Sequence, residues 1–220
     1  MRLLLLRHGE THANVSGELD TATPGEDLTT LGRAQADAAA AVLTDRRIEA
    51  VHVSTLVRTH QTAEPLLERI GLTPTVLDGL REISAGDLEM RSDPEARSAY
   101  LHTVASWLFG DSDVMMPGSE SRTAFLERYD AAIAEVVTTG VDTALVVSHG
   151  AAIRTWVGCR AVEDEQDWTE VMMQPLRNTG CIELEQRNDG WHIVAWQNHP
   201  IGGEALEDAA ALDPTGRPPA

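Results

Sequence analysis

A chain of 220 residues with 42% apolar residues is long enough to bury one domain core and too apolar to be disordered. Its formal charge of −18 and pI near 4.7 exclude a general positive face for nucleic acid or an anionic membrane surface. All seventeen basic residues are arginine, so lysine Schiff-base and P-loop chemistry are excluded, and any anion site must use arginine, histidine, backbone N–H groups and neutral donors.

Leu3-Leu4-Leu5-Leu6 reads as a strand buried on both faces, of the kind found in parallel sheets covered by helices. It runs directly into Arg7-His8-Gly9. Residues 12–28 read as a polar loop containing Pro24-Gly25. Thr29 or Thr30 can cap a helix over about 30–44, with Leu31, Ala34, Ala38, Ala41 and Val42 at helical spacing. Ala50 to Val53 is a second strand, followed by a helix from about Leu56 that carries Arg58 and that Pro65 should interrupt or re-start. Thr75 to Leu77 is a third strand, and Leu80 to Glu89 a loop. Helices are expected over 94–109 and 120–139, the second with Phe125, Tyr129, Ile133 and Val136 as its buried stripe. Thr143 to Val147 is a fourth strand leading into Ser148-His149-Gly150 and a helix from Ala151 to about Val157. Gly180 to Glu185 and Trp191 to Trp196 alternate like strands around the hairpin signal Asn188-Asp189-Gly190. Strands alternating with helices predict a three-layer α/β/α sandwich with a mostly parallel sheet and an antiparallel edge strand. Residues 1–200 form the domain, with a cap insertion at about 88–120. Residues 201–220 read as a loose acidic tail containing alanine and proline.

Cys159 and Cys181 lack a pairing or metal-type spacing, no apolar run reaches membrane-spanning length, and the first four leucines are too short a run for a signal peptide. These features predict a soluble, cytoplasmic protein. The arginine-only, alanine-rich composition points to a GC-rich bacterial genome.

Two segments share one form, an apolar strand followed by a polar residue and His-Gly: Leu6-Arg7-His8-Gly9 and Val147-Ser148-His149-Gly150. In a parallel sheet both histidines emerge at the carboxyl edge, where ligands bind. Arg58 follows the second strand at that edge, and Glu82 in Leu80-Arg81-Glu82-Ile83 supplies a carboxyl group after the third. Two histidines, two arginines and one acid at one rim suit phosphoryl transfer, because guanidinium forks match phosphate oxygens. Glycine after each histidine should admit the ligand to the backbone. Glu89 and Glu120 are rivals for the acid. Asn14 either meets the ligand or caps the chain, and Gln35, Arg154 and Asn178 read as structural.

The ordered set Arg7-His8-Gly9-Glu10-Thr11 with Asn14, Leu28 to Ala36, Ser54 to Ala63, Leu80 to Asp87, Pro117 to Ser121, Ser148 to Gly150 and Asn178 to Gly180 resembles the signature of the histidine phosphatase superfamily, or phosphoglycerate mutase-like family. The resemblance covers roughly residues 2–197. It implies that His8 is the nucleophile and Glu82 the general acid and base. It also implies that Arg7, Asn14, Arg58 and His149 hold the phosphoryl oxygens. The implied activity is metal-independent phosphomonoester hydrolysis of a small phosphorylated metabolite through phosphohistidine, with no metal or other cofactor; a homodimer is left open. The alternatives are a cofactor-dependent phosphoglycerate mutase and a catalytically silent binding module. Mutases of the family carry a basic insertion after the acid, whereas residues 89–118 here hold only Arg91 and Arg97 against Glu89, Asp93, Glu95, Asp111 and Asp113. The chain departs from the family pattern at Asp87-Leu88-Glu89-Met90, at Thr23 to Thr29 and at Ser119, all near the substrate mouth.

Overall fold

The computed structural model describes residues 1–162 and 174–216. The leucine run is the middle of its sheet. Strand β1 (Arg2–Arg7) has β4 (Thr143–Ser148) parallel on one side and β6 (Cys181–Arg187) antiparallel on the other. Beyond β4 lie β2 (Ala50–Val53) and β3 (Thr75–Val76), and beyond β6 lie β7 (Gly190–Gln197) and β5 (Ala161–Val162). The order is β3-β2-β4-β1-β6-β7-β5. Only β6 runs against its neighbours, so the sheet is mostly parallel, and the expected hairpin lies between β1 and the short strand β5.

Alternation along β1 explains why it is apolar throughout. Leu3 and Leu5 enter one core, with residues of α4 (Pro94–Leu108), α5 (Arg122–Thr138) and α6 (Gly150–Arg160). Leu4 and Leu6 enter a second, with residues of α2 (Thr30–Leu43) and α3 (Val57–Ile70). Each fully buried leucine contributes about 2 kcal/mol of hydrophobic stabilisation. Among the described residues, no helix is long and apolar enough to cross a membrane.

The helix starts are chemically specified. Thr29, Asp93 and Ser121 each accept a bond from the backbone N–H three residues on, and Pro94 occupies the first position of α4. The stripe expected on α5 is the buried one.

Four expectations change. The loop after Gly9 contains a short helix, α1 (His12–Ser16), closed by a capping box between Thr11 and Asn14. The buried face of α2 is Gly32, Gln35, Ala36, Ala39, Ala40 and Leu43, not the face through Ala34 and Ala41. With alanine on both faces, apolar spacing alone does not single out the buried one. The rotation of α2 is set instead by Gly32 packing on the Glu10 backbone and by Gln35 accepting from the Glu10 N–H (2.8 Å). Helix α3 continues through Pro65, a half-buried position, because Thr62, Ala63 and Leu66 around it stay packed in the core. Finally, residues 201–216 fold back over the rim, and Ala211, Asp213 and Thr215 are buried. The reason is Arg7: a guanidinium with no solvent exposure needs a carboxylate partner, and Asp213 supplies it. The last four residues of the expected tail lie outside the described residues.

Candidate active site

Register brings the two His-Gly turns together. Arg7 pairs with Ser148 across the β1–β4 ladder, and the His8 N–H donates to the Ser148 carbonyl (3.0 Å). The two imidazole rings stand 5.2 Å apart. Strand β2 ends level with them, since Val53 pairs with Val147, and Arg58 then sits in the first turn of α3.

The geometry fixes both tautomers. His8 Nδ1 lies 2.7 Å from the Gly9 carbonyl oxygen, which can only accept, so Nδ1 holds the proton and Nε2 keeps a lone pair. Burial, reinforced by the charges of Arg58 and Arg7, holds the His8 pKa well below the ordinary imidazole value, so the ring is neutral near pH 7. His149 is the opposite tautomer. Arg58 Nε donates to its Nδ1 (3.3 Å), and its Nε2 donates to the Ser54 hydroxyl (2.8 Å). Burial and Arg58 keep it neutral as well.

Glu82 is 2% exposed and lies at the N-terminus of α6. Its Oε1 accepts from the Ile83 and Ala152 N–H groups (2.9 and 2.8 Å), and its Oε2 from Ala151 (3.2 Å). These donors and Arg58 favour the carboxylate, but burial outweighs them and raises the pKa. The carboxyl group can therefore carry a proton at a higher pH than an exposed one. Arg128 holds the loop that bears it, donating to the carbonyls of Gly79, Arg81 and Glu82 (2.7, 2.9 and 2.9 Å). The rivals are committed elsewhere. Glu89 accepts from Thr21 and Ala22, and Glu120 pairs with Arg128.

Both arginines meet carboxylates that no sequence motif marked. Arg58 Nη1 pairs with Asp20 (3.0 Å), and its Nη2 donates to the Asp20 carbonyl (2.9 Å). Arg7 grips Asp213 through both Nη atoms, with Nη1 at 2.7 Å from Oδ2 and Nη2 on Oδ1. Asp20 sits in a stretch read only as a polar loop, and Asp213 in the tail. Their shared sequence signal is that an acidic residue must neutralise a buried guanidinium. Asn14 does two things at once: its Oδ1 accepts from Thr11 and from Asn178, and its Nδ2 donates to Asp213 (3.3 Å). Gln35 and Asn178 make structural contacts with Glu10, Leu206, His8 and Asn14. Arg154 is buried over the same rim, and burial together with Arg7 lowers its pKa to about 10.

The glycines admit protein. A Cβ on Gly9 would come within 2.6 Å of the Gly32 carbonyl, and one on Gly150 within 2.5 Å of the Thr215 carbonyl. Close approach was expected at both positions, but the approaching groups belong to α2 and the C-terminal segment.

A profile of the histidine phosphatase superfamily (branch 1) matches residues 3–199. The PE-PGRS family protein PE_PGRS11 of Mycobacterium tuberculosis is 33% identical across 94% of this chain, which spans 38% of that protein's length. The probable phosphoglycerate mutase GpmB of Salmonella choleraesuis is 28% identical across 97% of this chain and 98% of its own. Among solved structures, a mycobacterial glucosyl-3-phosphoglycerate phosphatase complexed with VO3 superposes with a TM-score of 0.75 at 28% identity, covering 89% of this chain and 98% of that one. The alpha-ribazole phosphatase of Shigella flexneri gives 0.71 at 25% identity, covering 90% and 96%.

Proposed function

This chain belongs to the histidine phosphatase superfamily, and from that premise we propose that it hydrolyses a small phosphate monoester in the cytoplasm through a phosphohistidine on His8. The observation that carries the reading is the neutral His8 ring, held through Nδ1 on the Gly9 carbonyl so that Nε2 keeps the lone pair, with the His149 ring 5.2 Å away. In the first step Nε2 attacks phosphorus, the N–P bond forms and the P–O ester bond breaks. The leaving oxygen takes the proton of the Glu82 carboxyl group. In the second step Glu82, now a carboxylate, takes a proton from water as the water oxygen attacks phosphorus, and the N–P bond breaks to release inorganic phosphate. One carboxyl group serves both steps because proton flow reverses between them. Arg7, Arg58 and Asn14 take the phosphoryl oxygens, and His149 joins them once the phosphoryl dianion draws a solvent proton onto its Nδ1, so that preorganised donors stabilise the developing charge. The phosphatases among the similar structures support hydrolysis.

The test is p-nitrophenyl phosphate hydrolysis by the wild type and His8→Ala, with trapping of an acid-labile adduct from a labelled donor. Activity lost with His8 and label on residue 8 are the expected results. Equal rates for the two proteins would instead support a silent binding module. The likeness to GpmB keeps a mutase as second reading. Isomerisation of 3-phosphoglycerate with 2,3-bisphosphoglycerate, faster than phosphate release, would favour it.

A further inference from the structure

The C-terminal segment enters the cup as an acidic strap. The Asp213 N–H donates to the Asn14 carbonyl (2.9 Å), and the Gly216 carbonyl accepts from the Leu176 N–H (3.0 Å), so the strap is pinned at both ends. Between these points Asp213 fills the Arg7 fork, Thr215 Oγ1 accepts from Arg7 Nη2 (3.1 Å), and the Thr215 carbonyl accepts from Arg154 (3.0 Å). Oδ1 of Asp213 also receives the Asn14 amide (3.3 Å). The carboxylate therefore stands where two donors assigned above to the phosphoryl group converge, and it uses the paired N–H geometry that phosphate oxygens use.

We propose that residues 211–216 are an internal competitor for the phosphoryl group, and that substrate displaces Asp213 from Arg7 on entering. The proposal rests on the phosphate-binding reading of Arg7 and Asn14. Two features favour displacement over a fixed support. Leu212, the largest apolar side chain of the strap, is 40% exposed, while the buried remainder is held mainly through polar contacts of Asp213 and Thr215. Asp213 also holds a left-handed φ of +35°, a conformation relieved when the segment lifts. Exchange replaces one buried anion on Arg7 by another and returns the carboxylate to water, so the guanidinium is never left unpaired.

The experiment titrates inorganic phosphate calorimetrically into the full chain and into Asp213→Asn, and follows hydrogen exchange of residues 208–216 in the wild type with and without phosphate. A strap latched about nine-tenths of the time weakens phosphate binding about tenfold, so Asp213→Asn should bind about tenfold tighter. Phosphate should also speed exchange in the strap. Unchanged or weaker binding by the variant, or slower exchange with phosphate, overturns the proposal and makes Asp213 a support for Arg7. If the variant does not fold, the exchange result on the wild type decides. Wild-type hydrolysis with no gain in exchange sinks the strap alone, whereas absence of both phosphate binding and hydrolysis sinks the site reading as well.

Discussion

Replacing Glu82 by glutamine keeps size and burial while removing the transferable proton. The amide oxygen can keep the bonds from Ile83 and Ala152, but the amide nitrogen then faces the Ala151 N–H, donor against donor, where the carboxylate accepted at 3.2 Å. Leaving a buried donor unsatisfied costs about 1–3 kcal/mol. At about 2–4 °C per kcal/mol for a chain of this size, Tm should fall by roughly 2–12 °C. The chemical loss depends on the leaving group. General acid catalysis contributes about 10²–10⁴-fold, but only where the departing oxygen needs a proton. Nitrophenolate leaves as a stable anion, whereas an alkoxide does not. We expect kcat/KM to fall about 10²–10³-fold for glycerol phosphate, equivalent to about 3–4 kcal/mol, and by at most about tenfold for p-nitrophenyl phosphate. The assay is kcat/KM for both substrates at one pH, because that ratio reports only the steps up to phosphoryl transfer. An equal fall for the two would refute the role of Glu82 as proton donor.

Four further outcomes follow from the site. His8 attacks as a neutral base with a lowered pKa and Glu82 donates as a neutral acid with a raised one. Activity should therefore rise with pH through a value below 6.5 and fall through a value above 4.5, and Glu82→Gln should remove the falling limb from a kcat/KM profile. The same histidines act on stability with a definite sign. Their folded pKa values lie below the unfolded 6.5, so the unfolded chain binds more protons and urea midpoints should drop as pH falls below that value. Arg128→Met removes three bonds to the loop that carries Glu82 and should cost about 2–4 kcal/mol in urea unfolding, with kcat lowered more than KM is raised. Gly9→Ala forces a Cβ to 2.6 Å from the Gly32 carbonyl and should cost about 1–3 kcal/mol by overpacking, again read from the urea midpoint.

Most of the scaffold and half of the cup can be read from local pattern. A strand buried on both faces must be apolar at every position, so Leu3 to Leu6 and Ala144 to Val147 announce themselves. Parallel strands share a carboxyl edge, so His8, Arg58, Glu82 and His149 belong to one rim before any coordinates are known. Capping residues mark the helix starts because orphan N–H groups need acceptors at fixed offsets. Tertiary structure decided what has no local signal. The face of α2 depended on two contacts with Glu10, made by Gly32 and Gln35, since alanine on both faces leaves the orientation weakly marked. The ring tautomers depended on the carbonyl of Gly9 and the guanidinium of Arg58. The carboxylates came from sites 38 residues from Arg58 and 206 residues from Arg7, because a buried charge takes its partner from whatever the fold brings near, and chain distance does not enter that electrostatics.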